Sequence, residues 1–271
     1  MISLSARLCK LGVFGLVILG ANQSWAQDDT VSERLTQGEV NWTEKTIIAT
    51  GSGAPDKSLP NVAAIRKASE NAATLSARKN LLNALGGLRL SGDTLAESKL
   101  STGSIRTQVE SIVQNCKTSD TRYFSDYGVD VVLKCPLDGA LAMVLAPPKK
   151  QRPLKTAGKR QFTGLIVDAV GLKAKPALAF KVLKPDGTVL YGSEYVKPNF
   201  FRNFGTASYT RSIEGARKDE KVGDNPLVIR ATGLNVSGTE VTISDEDLQR
   251  LEAENLWFLL EGRVVVATDG P

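Results

Sequence analysis

Residues 62–85 read VAAIRKASENAATLSARKNLLNAL, and the eight residues 46–53 before them read TIIATGSG. Together they decide the fold class. In the longer stretch, apolar residues fall at Val62, Ile65, Ala68, Ala72, Leu75, Leu82 and Leu85, steps of three, four or seven that predict one buried helical face. Arg66, Lys67, Glu70, Arg78 and Lys79 occupy the other face. Pro60-Asn61 opens the helix, and Gly86-Gly87 is expected to end it through a left-handed turn. Seven alanines between Val62 and Leu85 leave the helix thin enough to lie close to a sheet. Lys45 to Thr50 alternates weakly and is expected to be a strand, with Gly51-Ser52-Gly53 as its turn.

Downstream, Ile105 to Asn115 and Val129 to Leu137 are β-rich runs, and Val129, Val131 and Leu133 share one face of the second. Between them Ser125-Asp126-Tyr127-Gly128 is turn-like. The midpoint between Cys116 and Cys135 falls inside this turn, between Ser125 and Asp126, so strands folding back there bring the two thiols opposite one another, within disulfide reach. Closing a loop of this size stabilises by about 3 kcal/mol in the chain-entropy picture. A redox-active pair would show Cys-x-x-Cys spacing, and that spacing is not present. Ala140 to Leu145 reads as a short closing helix.

Upstream, Arg7 and Lys10 precede an uncharged run of 11 residues, Leu11 to Ala21. Small residues at Ser24 and Ala26 then predict cleavage between Ala26 and Gln27, so residues 1–26 read as a secretion signal. A membrane span needs roughly 20 apolar residues, so no transmembrane anchor is expected after cleavage. Cys9 precedes the apolar run and so is not placed to accept a lipid. The expected location is the periplasm of a Gram-negative bacterium, where an even pair of cysteines is oxidised. Losing residues 1–26 removes two cations and no acids, and the formal charge falls from +5 to +3. That is not the charge of a nucleic-acid binder.

Residues 147–161 read PPKKQRPLKTAGKRQ, a basic, Pro-containing linker expected to run semi-extended in solvent. A basic run of this kind also suits an anionic surface. Beyond it, Phe162–Asp168, Ala177–Leu183, Thr188–Tyr191, Pro226–Ala231, Glu240–Ile243 and Arg263–Thr268 read as strands. Lys184-Pro-Asp-Gly187 is a hairpin signal, and Ser244 caps a helix over 245–254. The expected organisation is α+β: a small antiparallel sheet packed by one long Ala-rich helix in residues 27–146, then a β-dominated second domain over 162–271.

The chain has no histidine. That removes Ser-His-Asp and Cys-His catalysis, His-ligated metal and the commonest general base. Gly51-Ser-Gly53 lacks the third glycine of a dinucleotide fingerprint, and Gly158-Lys-Arg160 lacks the hydroxyl residue and upstream glycine of a phosphate loop. Two carboxylate groupings have the residue type a glycosidase needs, Asp126 with Asp130 and Asp245 with Glu246 and Asp247. Turn and helix-start preferences account for both. Asp168, at the end of an apolar strand in a Gly-flanked run, has a position that suits an ion ligand, a loop cap or the start of a turn, and no role is assigned to it. No enzyme activity, cofactor or metal is expected.

Thr46-Ile-Ile-Ala-Thr-Gly51, Ile65-Arg-Lys-Ala68, Ala72 and Ala77-Arg-Lys-Asn-Leu-Leu82 resemble the N-terminal domain of flagellar assembly protein T and the related flagellar basal-disk and envelope lipoproteins. The resemblance spans roughly 38 to 146. It implies a non-enzymatic component or assembly factor of an envelope structure, working by self-association or docking on an envelope protein complex. The alternative expectation is a module for cell-wall or surface polysaccharide such as peptidoglycan. Its contacts would come from residues 195–209, YVKPNFFRNFGTASY, where Phe200, Phe201, Phe204 and Tyr209 are the candidates for stacking on sugars.

Overall fold

A computed structural model describes residues 29–147 and 150–270. The expected cleavage site at Ala26 and Gln27 lies outside them. Strands β1 (Ser32–Leu35), β2 (Gly38–Asn41) and β3 (Thr46–Gly53) lead into helix α1 (Val62–Gly86). A small ribbon, β4 (Arg89–Ser91) and β5 (Thr94–Leu95), is followed by α2 (Glu97–Leu100) and α3 (Gly103–Gln114). Then come β6 (Lys117–Tyr123), β7 (Val129–Pro136) and α4 (Ala140–Leu145). The sheet is antiparallel throughout, in the order β1-β2-β3-β7-β6.

Helix α1 lies across β3 and β7, as its alanine content predicts, but its buried face is rotated from the one expected. Ile65, Ser69, Ala73, Ala77, Leu81, Ala84 and Leu85 face in, whereas Val62 and Leu75 are exposed. The reason is in β3. Gly51 and Gly53 are not a turn; they are the last residues of the strand, directly under the helix. A methyl group at Gly51 would lie 2.6 Å from Ala77 Cα, and one at Gly53 would lie 2.7 Å from the Ala73 backbone nitrogen. Backbone meets backbone there, so the small side chains are drawn inward and Leu75 is left outside. Asn61 caps α1 by accepting from Ala64 N at 2.9 Å. At the far end Gly87 has φ −77, so the helix leaves without the expected left-handed residue.

The largest correction concerns residues 105–115. They form most of α3, because Ile105, Val109, Ile112 and Val113 are spaced for one helical face, and Val109 and Val113 are buried. The strand preceding the turn is β6 instead, pairing Lys117 with Lys134 through to Tyr123 with Val129. The turn lies where predicted, with Tyr127 N donating to Phe124 O at 3.1 Å. Cys116 and Cys135 are disulfide-bonded at a Cα separation of 5.0 Å.

The second half is strand-rich and built on a mixed sheet. Its strands are β8 (Gly164–Asp168), β9 (Lys181–Leu183), β10 (Val189–Tyr191), β11 (Ser208–Thr210), β12 (Pro226–Leu234), β13 (Glu240–Ile243) and β14 (Val264–Ala267). They are ordered β10-β9-β13-β12-β8-β14-β11, and β12, β8, β14 and β11 are mutually parallel. Residues of β8 and β14 are buried on both faces, as parallel strands are. Besides the predicted helix α7 (Asp245–Ala253), this half carries three short helices that the strand-rich expectation does not include, α5 (Pro198–Phe204), α6 (Ile213–Lys218) and α8 (Trp257–Leu260).

The two sheets share one hydrophobic core that runs from Ile47 and Leu133 through Trp42 and Tyr209 to Val167 and Ile243. The Trp42 and Tyr209 rings meet edge-on at 5.9 Å. Leu178 N and Ala179 N donate to Arg89 O and Leu90 O, so β4 is bonded to the second half. The described residues of the basic run after α4 are largely exposed, and the run is tied down. Arg152 N donates to Glu194 O, Lys155 Nζ to Glu252 O, and the Arg160 guanidinium lies 4.8 Å from the centre of the Trp257 ring.

Candidate functional site

Helix α5 sits where the two halves meet, and the side chains around it bring aromatic, hydroxyl, carboxylate and cationic groups together. Pro198 at the first turn starts the helix, and Gly205, with φ 62, ends it. Its seven residues carry three phenylalanines. Helical spacing separates them: Phe201 points into the core with no exposure, while Phe200 and Phe204, four residues apart, stack at 6.4 Å on the outer side. Phe204 is 42% exposed.

This divides the four predicted sugar-stacking residues. Phe200 and Phe204 line a cleft, but Phe201 and Tyr209 do not. Tyr209, on β11, is buried against Trp42 and Phe180. Its hydroxyl accepts from Ala177 N and donates to Ala177 O, both at 2.9 Å. Burial in this setting pushes its phenol well above the usual tyrosine range. It is a core pin, because in-and-out alternation on a short buried strand leaves no outward face.

The cleft has a volume of about 410 Å³. Phe200 and Phe204 form its apolar side, Thr43 and Ser208 add hydroxyls, and Asp219, Glu220, Lys221, Glu261 and Arg263 supply charge. Arg263 bonds Glu261 at 2.9 Å, and its guanidinium also lies 5.1 Å from the Trp257 ring centre. Lys45, from the β2–β3 turn, and Lys221, from the turn after α6, both donate to the carbonyl oxygen of Phe204. That carbonyl is one of those a helix end leaves without an internal partner. Lys221 is half-buried, with its amino group 3.0 Å from Phe204 O and 3.4 Å from Ser208 Oγ. Burial first, and then the neighbouring Lys45 charge, push its pKa well below the usual lysine value. Burial also lowers that of Lys45. No composition signal could have paired these two lysines, which are far apart in sequence and come from different halves.

A larger groove of about 600 Å³ lies beside the end of α1, among Gln37, Asn83, Glu97 and Arg106. It has neither an aromatic side chain nor an enclosed ionisable group. One member of each carboxylate grouping has structural work. Asp126 accepts from Gly128 N at 3.0 Å, and Asp247 accepts from Arg230 N at 3.0 Å while pairing with Arg250 at 2.6 Å. Asp168 accepts from Val170 N at 3.1 Å, a turn contact. Among the described residues, no three His, Cys, Asp or Glu side chains are grouped to hold a metal ion. Nor is any described helix long and apolar enough to cross a membrane.

Residues 164–270 match a family model described as the second domain of Treponema pallidum Tp0624. The match begins at the first residue of β8 and runs past the end of β14, so it covers the seven-stranded sheet, its helices and most of the cleft. The resemblance of residues 38 to 146 to flagellar assembly protein T is no part of that match. No curated protein matches the chain.

Proposed function

We propose that this chain is a non-catalytic component of the periplasmic cell envelope that binds a saccharide polymer, such as peptidoglycan, through the cleft beside α5. The observation that carries the reading is the stacked pair Phe200 and Phe204, one of them 42% exposed, bordering hydroxyl, carboxylate and cationic groups. Sugars present C–H faces to aromatic rings and hydroxyls to mixed donors and acceptors, and this wall offers both. The roughly balanced charge favours a hydroxyl-rich ligand over a simple polyanion. Pelleting of the purified protein with peptidoglycan sacculi tests the reading. Phe200→Ala with Phe204→Ala is expected to lower the bound fraction at least about tenfold, the loss of two stacking contacts of ~0.5–1.5 kcal/mol each with their buried area. Unchanged pelleting of a folded double variant would remove the cleft from the proposal.

A second reading, an assembly factor docking on an envelope complex such as a flagellar ring, is favoured by one place on the first sheet. Strand β6 is an outer strand exposed along nearly its whole length, and it ends at Tyr123 and Phe124, which are 56% and 46% exposed. A register shift between Thr118 and Asp120 interrupts its pairing, a device that limits strand addition. Docking would therefore use the aromatic tip. Crosslinking in cell envelopes followed by mass spectrometry, with Tyr123→Ser and Phe124→Ser as the control, distinguishes the two readings.

A further inference from the structure

Sugar binding does not require two amines at one oxygen. Lys45 has a left-handed backbone, φ 53, and projects from the first sheet. Lys221 comes from the second half, and its amino group lies 3.0 Å from Phe204 O and 3.4 Å from Ser208 Oγ. The groups facing the pair are Asp138 and Asp219 on the Lys45 side and Asp219 on the Lys221 side. Asp219 is already engaged by the backbone nitrogen of Lys221 at 2.9 Å. Further along the cleft Glu261 is bonded to Arg263. The carbonyl oxygen of Phe204 has two lone pairs and accepts from both amines, which holds the two cations side by side. Of the two, Lys221 also lines the open cleft.

We propose that Lys221 is a nucleophilic amine that condenses reversibly with small aldehydes or ketones entering the cleft. In this step the amine lone pair forms a bond to the carbonyl carbon, and the carbonyl oxygen takes up a proton, giving a carbinolamine. Its hydroxyl then takes a proton from solvent and leaves as water, the nitrogen gives its own proton back to solvent, and an imine remains. Nothing is oxidised or reduced, and one water is released per carbonyl consumed. An amine held beside a second cation binds its proton less tightly, and that makes it the more nucleophilic. The inference concerns the lining of the cleft and does not depend on which polymer occupies it.

The test uses the full mature chain with glycolaldehyde and cyanoborohydride at neutral pH, followed by peptide mass mapping. Lys221 is expected to be alkylated at least about tenfold faster than exposed lysines such as Lys57 and Lys117. Its rate should level off at a lower pH than theirs. Lys221→Arg is expected to remove the fast adduct. Lys45→Gln takes away the neighbouring charge and should slow labelling of Lys221 and move its pH midpoint upward, with the thermal midpoint reporting that the variant is folded. Even labelling across the lysines would overturn the proposal, as would fast labelling of Lys221 with an ordinary lysine pH midpoint. A failure of sacculus binding leaves this outcome untouched, because the probe is a small aldehyde.

Discussion

The absence of a side chain at Gly53 is what lets α1 descend onto β3, since an added methyl would overlap the Ser69 carbonyl and approach Ala73 N to 2.7 Å. Neither neighbour is a flexible side chain that can step aside. Gly53→Ala is therefore expected to force helix and strand apart and to cost about 1–3 kcal/mol, the usual range for overpacking. Ser52, the exposed residue between the two glycines, serves as the control, and Ser52→Ala should stay within about 0.5 kcal/mol. Urea denaturation of the two variants reads the difference. The same scale separates the phenylalanines of α5. Phe201→Ala leaves a void in the core and is expected to cost about 3–5 kcal/mol, whereas Phe204→Ala, at the cleft surface, should change stability by less than about 1 kcal/mol. Similar losses for both would mean that α5 turns a different face to the core, with Phe204 packed as deeply as Phe201.

At the scale of elements, the hairpin of β6 and β7 is closed twice, by the Phe124–Gly128 turn and by the Cys116–Cys135 bond across 19 residues of sequence. Replacing both cysteines by serine is expected to cost about 2–4 kcal/mol, chiefly by freeing the unfolded chain. Thermal denaturation of the oxidised protein, the reduced protein and the double variant checks this, and equal midpoints would count against a structural bond. That hairpin was legible from the midpoint between two cysteines, but its first strand was not, and the reason is physical. Lys117–Tyr123 is exposed on both sides, so it has no apolar alternation to read, whereas the neighbouring Ile105–Asn115 is rich in β-branched residues yet spaced for a helix. Periodicity outweighed composition there. The long helix was legible through its length, but its inward face was not, because glycines on another element decided it. The cleft was half legible: the aromatic run announced itself, whereas which rings face out depended on helical spacing in α5, and the lysine pair on the meeting of two sheets.

On the scale of the whole molecule, the shared core and the bonds from β4 to the second half make separate unfolding of the two sheets costly, and one cooperative transition is expected. Its pH dependence follows from groups at that junction. Lys221 and Lys45 hold their protons more weakly when folded than at the ordinary lysine value of 10.5. Between their folded pKa values and 10.5 the unfolded chain binds more protons, so stability rises with pH through that window. Tyr191 and Tyr209 act in the opposite sense. Burial first raises the pKa of each above the ordinary 10.0, so above that pH the unfolded chain ionises first and stability falls. The two limbs place the optimum on the alkaline side of neutral. Urea midpoints measured from neutral pH to beyond 10.5 should climb and then drop. Lys221→Met is expected to shrink the climb to the part that Lys45 contributes and to leave the drop. A monotonic fall from neutral pH in the unaltered protein would mean that the ammonium groups of Lys221 and Lys45 are as well solvated folded as unfolded.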